Sequence, residues 1–201
     1  MNSVYDFIIK PINKRYNNTK KVGNKELVLN TKIEDFKAVS KEAVVIGIPT
    51  AFSTDIKIGD RVMIHHNVFR RFYDIKGKEK NSRSYFKEDL YFCAADQIYL
   101  YKKDKEWLSF MNRCFVSPIH NTNPLYNRKR EPNIGILKYD NLYLNKLGIY
   151  KDMLVSFKPV GEFEFVIDGK LLYCMKSNDI VIKHEYEGNE KEYNPSWAHC
   201  S

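Results

Sequence analysis

Short apolar segments, each bounded by glycine, proline, asparagine or aspartate, recur along the first half of the chain and predict β-strands. Val62 and Ile64 lie two residues apart in one of these segments, which is the period of a strand with one buried face. No segment carries a sustained apolar stripe at helical spacing with caps at both ends, and the best helical candidate is 105–113. The pattern predicts an all-β fold with strands at Tyr5–Pro11, Ala43–Ile48, Arg61–His65, Tyr85–Cys93 and Gln97–Tyr101.

The same order of segments occurs twice along the chain. The first copy contains Phe7–Ile12, Ile58–Met63, Tyr91–Cys93 and Asp96–Leu100, and the second contains Phe115–Ile119, Tyr150–Val155, Leu172–Cys174 and Asn178–Ile182. The first copy is longer by about 15 residues before its second segment and by about 10 residues around 76–84, and insertions belong in loops because loop closure costs little per added residue. The sequence therefore predicts a first domain at 1–104, a linker at 105–113, a shorter second domain at 114–184 and a C-terminal tail at 185–201.

A turn begins the second matching segment of each copy. In the first copy it is Gly59-Asp60, where glycine tolerates a positive φ and aspartate can bond the nearby backbone. In the second copy the aligned pair is Lys151-Asp152. Because lysine replaces the glycine, we expect a tighter turn there or a turn of another type.

One apolar triplet, Leu27-Val28-Leu29, lies in a loop at 13–40 that is otherwise rich in lysine and asparagine. A polar loop gains nothing from burying such residues in its own core, so the triplet favours a segment that docks into a groove on another protein. The alternative is a short edge strand of the chain's own sheet. On the pattern alone the edge strand is the simpler interpretation, and the rest of the chain shifts the balance toward docking.

Length and composition fit a folded protein of one large all-β domain or two domains of about 100 residues each. The chain has 201 residues, of which 43% are hydrophobic, and no apolar run approaches the roughly 20 residues that span a bilayer. The N-terminus lacks a charged region followed by an apolar stretch and a cleavage site, so we expect a cytoplasmic protein. The four cysteines show no CxxC spacing, which predicts reduced thiols that pack in the core.

The net charge is +8 and the pI is about 9.1, values that would suit a nucleic-acid binder. The charge is nevertheless spread over the whole chain with acidic residues interleaved, which argues against nucleic acid as the partner. The basic residues closest together in sequence are Arg70, Arg71, Lys76, Lys78, Lys80 and Arg83.

The sequence offers little for catalysis. His65 and His66 are adjacent, but neighbouring residues of a strand point to opposite faces and cannot share one metal ion unless a bulge intervenes. His184 and His199-Cys200 follow Cys174 and are candidate zinc ligands, although their spacing fits no recognised finger. No glycine-rich phosphate loop, nucleophile elbow or HExxH motif is present, so we predict no enzymatic activity, metal or cofactor. The glutamates after Lys183 indicate a solvated acidic tail. Trp197 near its end would either fold back on its own domain or pack on a neighbouring subunit, and we favour packing between subunits.

The first half resembles the GroES cochaperonin family over most of 5–103. The resemblance rests on the order and spacing of Asp6–Pro11, Glu26–Asn30, Lys41–Gly47, Ile56–Ile64 and Tyr91–Leu100. The second half resembles the same fold weakly, through Gly135–Leu137, Lys151–Val155 and Tyr173–Ile182. The chain departs from the family's pattern at two places. Residues 49–57 are too short for the roof hairpin that many family members carry there. Lys25-Glu26 precedes the triplet where the family usually has glycines. Short roofs are typical of viral members of the family. The abundance of lysine, asparagine, isoleucine and tyrosine suits a bacteriophage of an AT-rich host.

The resemblance implies two tandem GroES-like small β-barrels that assemble into a homo-oligomeric ring. It implies a cochaperonin that caps a GroEL-type chaperonin, which itself binds the ATP, and assists protein folding in the cytoplasm, or in the host cytoplasm for a viral protein. The chaperonin-binding residues would be Glu26, Leu27, Val28, Leu29 and Asn30 of the mobile loop, and the second barrel lacks this tripeptide. The alternative function is a virion or adaptor structural protein that uses the tandem barrel for assembly.

Overall fold

A computed structural model describes residues 3–17, 19–23, 25–28, 35–36, 38–121, 129–159, 163–185 and 188–200. The chain divides into two compact units, Met1–Glu106 and Trp107–Ser201, which we call unit 1 and unit 2. Antiparallel strands dominate both units, so the all-β prediction is confirmed. No helix within the described ranges is long and apolar enough to cross a membrane.

Unit 1 contains one main sheet and two separate hairpins. The strands are β1 (Phe7–Pro11), β2 (Thr19–Val22), β3 (Lys25–Val28), β4 (Glu42–Gly47), β5 (Arg61–Ile64), β6 (Arg71–Tyr73), β7 (Glu79–Asn81), β8 (Tyr85–Lys87), β9 (Leu90–Cys93) and β10 (Ile98–Lys103). In the main sheet the strands of this unit follow the order β10-β5-β4-β1-β9-β8. The pairs β2–β3 and β6–β7 each form a two-stranded sheet, and they occupy the two insertions of the first copy.

Strand β11 (Glu106–Ser109) lies at the boundary between the units, within the predicted linker at 105–113 that is also the best helical candidate. The described segment contains a strand and not a helix. Trp107 is buried while Glu106 and Leu108 are exposed, which is the alternation of a strand and not the stripe of a helix. Strand β12 then begins at Arg113, so five of the nine residues of the predicted linker lie in strands.

Unit 2 repeats the main sheet of unit 1. Its elements are β12 (Arg113–His120), β13 (Arg130–Tyr139), α1 (Leu142–Lys146), β14 (Leu154–Phe157), β15 (Phe163–Ile167), β16 (Lys170–Lys176) and β17 (Ile180–Lys183). The strand order is β17-β14-β13-β12-β16-β15, which is the order of unit 1 when strands are matched by their place in the chain. Neither sheet closes into a barrel among the described residues. Closure depends on pairing between strands far apart in sequence, which the apolar pattern of single strands does not report.

Register agrees between the units at the first matching segment. Phe7 pairs with Cys93 in unit 1, and the equivalent pair in unit 2 is Cys114 with Met175, one residue away from the match of Phe7 with Phe115 in the sequence. All four of the paired side chains are fully buried and lie in the two cores. Burial raises the pKa of the three described thiols, which are Cys93, Cys114 and Cys174. These thiols pack as small apolar groups.

The turn before β5 and its counterpart before β14 correct the sequence alignment by one residue. The Gly59 N–H donates to the Val45 carbonyl at 2.8 Å, and the Asp152 N–H donates to the Leu137 carbonyl at 2.7 Å. Gly59 has a φ of 96° and Asp152 a φ of 66°. The equivalent of Gly59 is therefore Asp152 and not Lys151. Aspartate is one of the residues that tolerate this region, so the turn keeps its form without glycine, contrary to our expectation.

The C-terminal segment packs against unit 2, although its glutamates indicated a solvated tail. The His120 N–H donates to the Lys191 carbonyl at 2.9 Å, and the Tyr193 N–H donates to the Pro118 carbonyl at 2.7 Å. Ala198 is fully buried in the core of unit 2. The segment continues the sheet beside β12, because β16 pairs only with the first half of that strand.

Candidate docking site

The hairpin β2–β3, which we call the arm, carries the described part of the apolar triplet. Lys20 pairs with Leu27 and Thr19 with Val28, and Gly23 (φ 61°) occupies the two-residue turn that joins the strands. Leu27 is 50% exposed and Val28 is 61% exposed. The edge-strand interpretation is correct in that both residues lie in a short strand. Within the described ranges, however, that strand pairs only with β2 and with no strand of the main sheet.

The other predicted docking residues are less completely described. Glu26 lies in β3 with its backbone paired to Lys21. Leu29 and Asn30 lie outside the described residues. The geometry of the candidate site therefore rests on Leu27 and Val28, the two members of the triplet that the structure describes.

A short ladder closes the base of the arm. Tyr16 and Val39 form an antiparallel bridge, the Asn17 N–H donates to the Ala38 carbonyl at 2.7 Å, and the Ser40 N–H donates to the Arg15 carbonyl at 3.0 Å. Tyr16 and Val39 are both buried. Because these groups belong to the folded body of unit 1, the arm leaves the body at a fixed place.

Arg15 fastens this base to a neighbouring segment. Its guanidinium donates to the Phe69 carbonyl, to the Arg70 carbonyl at 3.2 Å and to Asn81 Oδ1 at 2.6 Å. The same group lies 5.2 Å from the centre of the Tyr91 ring. Burial lowers the pKa of Arg15, but a guanidinium stays charged at neutral pH. One side chain thus joins the arm base to both ends of the segment that contains β6–β7.

Replacing Arg15 by methionine should destabilise unit 1 by about 2 to 3 kcal/mol, because two backbone carbonyls and an amide lose a charged donor. Urea unfolding would measure the loss, and hydrogen exchange at the Asn17 and Ser40 amides should accelerate. Arg61→Met is the matched control, since Arg61 pairs with Glu42 at the surface and such pairs contribute little. Equal stability of the two variants would contradict the role given to Arg15.

Tyr16 and Arg71 form a second link between the arm base and β6–β7. The Arg71 N–H donates to the Tyr16 hydroxyl oxygen at 2.7 Å, and the Arg71 guanidinium lies 4.9 Å from the centre of the Tyr16 ring. Arg71 also pairs with Glu79 across the hairpin at 2.7 Å. Sequence reasoning missed this junction because its residues are about 55 positions apart and no short motif joins them.

The arrangement presents apolar side chains outward on a hairpin with a firmly held base. Comparison with protein-family models gives no match to this chain, and comparison with curated proteins gives none either. The functional assignment therefore rests on the geometry of the arm. In the part of the chain that the structure describes, no three histidine, cysteine or acidic side chains are grouped to hold a metal ion.

The two adjacent histidines stack instead of pointing apart. Strand β5 ends at Ile64, so the alternation assumed from the sequence does not reach them. The rings of His65 and His66 lie 4.3 Å apart, and the Phe36 ring lies 5.3 Å from that of His66. Burial, with smaller contributions from the charges of His65, Lys41 and Arg70, lowers the pKa of His66 to about 4.

This lowered pKa predicts that unit 1 becomes less stable in mild acid. Unfolded His66 takes up a proton near pH 6.5, whereas folded His66 stays neutral down to about pH 4. The stability that neutral His66 contributes to unit 1 is fully present above about pH 6.5 and is lost as the pH falls toward 4. Discounted for the exposed part of the ring, the loss should be about 1 kcal/mol. The urea midpoints measured at about pH 7.5 and pH 5 should therefore differ less in His66→Gln than in the parent protein. An equal difference in the two proteins would contradict this prediction.

Unit 2 contains a cavity of about 580 Å³ that the sequence did not reveal. Its walls include Phe157, Tyr173, Tyr193 and Trp197, together with the ion pair of Arg130 and Glu164 at 3.0 Å. The C-terminal segment forms one wall, which explains why the strand pattern gave no signal for it. The Arg130 guanidinium also donates to the Tyr173 hydroxyl, so its charge is already engaged within the wall.

Proposed function

We propose that this chain is a cochaperonin of the GroES-like, tandem form, which caps a GroEL-type chaperonin ring through the arm and assists protein folding. The observation that carries the proposal is the outward exposure of Leu27 and Val28 on a hairpin that lies apart from the main sheet. Had these side chains been packed under the sheet of unit 1, they would serve the core and be unable to dock. The partner binds the ATP, so no nucleotide site is required of this chain.

The energetics of a single arm favour assembly into a ring. Fully burying a leucine or valine stabilises a complex by about 1.5 to 3 kcal/mol, and part of this gain is already realised on the half-exposed hairpin. Association itself costs about 4 to 15 kcal/mol in lost translational and rotational freedom. A lone arm would therefore bind weakly, and several arms presented by one oligomer would bind strongly through avidity.

The shared strand order supports the tandem part of the proposal. Unit 2 has the main sheet of unit 1 but neither of its hairpins among the described residues. In a ring of such chains, arm-bearing and arm-free GroES-like modules would alternate unless the second units form a separate tier. Each chain would then contribute one arm to the contact with the chaperonin.

A pull-down with a purified GroEL-type chaperonin and nucleotide tests the proposal. The parent protein should be retained, and Leu27→Ser should lose most of that retention. Leu142→Ser is the matched control, because Leu142 is 80% exposed on unit 2 and lies outside the arm. Retention that does not depend on Leu27, or no retention of the parent protein, would favour the alternative function of a virion or adaptor structural protein.

A further inference from the structure

The second hairpin of unit 1, β6–β7, also presents apolar side chains to solvent. Ile75 in its turn is fully exposed, and Phe72 and Tyr73 on the adjoining strand are exposed as well. The hairpin lies in the second insertion of the first copy, between β5 and β8. Like the arm, it has no counterpart among the described residues of unit 2.

Aspartate holds the turn of this hairpin in one conformation. Asp74 Oδ1 accepts from the Lys76 and Lys78 N–H groups at 2.9 Å each. The Asp74 N–H donates to the Lys78 carbonyl at 2.9 Å, and the Gly77 N–H, at a φ of 72°, donates to the Asp74 carbonyl at 2.8 Å. None of these bonds needs an apolar side chain at position 75, so the isoleucine contributes nothing to the turn. A tip held in this way loses little entropy when it binds.

The hairpin and the arm leave unit 1 from a common base. Arg15 at the arm base binds Asn81 at the end of β7, and Tyr16 binds Arg71 at the start of β6. Ser82, which follows β7, donates to the Val68 carbonyl at 2.6 Å and closes the base from the other side. These contacts fix both hairpins to one place on the unit, so one partner can reach them together.

Charge indicates the chemistry of that partner. Lys76, Lys78 and Lys80 are exposed on this hairpin, whereas Glu79 is paired with Arg71 and the Asp74 carboxylate accepts from two backbone N–H groups of the turn. An apolar tip bordered by lysines fits an apolar pocket on a protein with carboxylates at its rim. Nucleic acid fits less well, because the side chain at the tip is aliphatic and cannot stack on a base, and Arg71 is engaged at the hairpin base.

We propose that the β6–β7 hairpin is a second docking element, which inserts Ile75 into an apolar, acidic-rimmed pocket on the same protein partner as the arm. The inference rests on the proposed function, since the partner in question is the chaperonin ring. It adds that the two insertions of the first copy form one bipartite interface. The second copy, whose described residues contain neither hairpin, takes no direct part in that contact.

The test is the affinity for a purified GroEL-type chaperonin with nucleotide, measured for Ile75→Ser, Leu27→Ser, the double variant and the Leu142→Ser control. Ile75→Ser should weaken binding by about 10-fold, and the double variant should bind more weakly than either single one. Because the lysines contribute, added salt should weaken binding of the parent protein. Thermal unfolding of Ile75→Ser should match the parent, since the side chain faces solvent.

Each other result has a distinct meaning. Parental affinity of Ile75→Ser together with lost binding of Leu27→Ser overturns the second element and leaves the proposed function standing. Indifference of binding to Leu27, or no binding by the parent protein, overturns the proposed function and this inference with it. Retention of a labelled single-stranded oligonucleotide at physiological salt that Lys76→Ala with Lys78→Ala abolishes would assign the hairpin to nucleic acid instead.

Discussion

Replacing Leu27 and Val28 together by serine should lower the affinity for a chaperonin ring by about 100-fold or more. Each side chain is roughly half exposed on the arm, so its complete burial on docking adds about 1 kcal/mol. The pair therefore contributes about 2 kcal/mol per arm, which is about 30-fold in binding. When several arms of one ring engage together, these losses multiply. Competition binding against the parent protein measures the effect.

The same double variant should keep the fold of unit 1. Neither side chain belongs to its core, and surface substitutions of this kind change stability by about 0.5 kcal/mol or less. Leu142→Ser with Leu147→Ser is the matched control, because it removes two exposed leucines from unit 2. If the control loses as much affinity as the arm variant, or if the arm variant binds like the parent protein, docking does not occur through the arm.

Replacing Gly135 by alanine should strongly destabilise unit 2. Gly135 lies in β13 between Pro118 of β12 and Val155 of β14. An added Cβ would lie 2.3 Å from the Ser117 carbonyl oxygen and 2.6 Å from Val116 Cγ1. The first neighbour is backbone in the middle of the sheet, so the strands themselves must move apart. We expect a loss of about 3 kcal/mol in the free energy of unfolding.

Urea unfolding of unit 2 measures this loss, and Glu131→Ala provides a control in the same strand. The corresponding position in unit 1 is Ala43, opposite Pro11, where a Cβ is present and fully buried. Unit 1 therefore accommodates at this position the methyl group that unit 2 excludes. A Gly135→Ala variant as stable as the control would show that β12 and β13 are not packed as closely as described.

The comparison of the two halves of the sequence located the repeated strands well, because buried strands keep their apolar residues in register. The alignments of Pro11 with Pro118 and of Ile98 with Ile180 both agree with the pairings of the two sheets. The turn before β5 was misaligned by one residue, because the comparison matched Asp60 with Asp152 by identity. The backbone there selects for a residue that accepts positive φ, and aspartate fills that role as glycine does.

The candidate docking residues were accessible to sequence reasoning, but the way in which the arm is held was not. An apolar pair in a polar loop is visible in any reading of residues 13–40. The junction of Arg15, Tyr16 and Arg71 depends on segments brought together only by the folded sheet. The same limit applied to the stacked histidines and to barrel closure, since the end of β5 and the edges of the sheets are tertiary features.

Negative-stain electron microscopy of the purified protein, mixed with a GroEL-type chaperonin and nucleotide, tests the central claim most directly. We expect extra density that covers one or both ends of the chaperonin ring, and its absence with the Leu27→Ser, Val28→Ser variant. Bare chaperonin rings with the parent protein, or density on the sides of the ring that persists in the variant, would contradict the assignment as a cap.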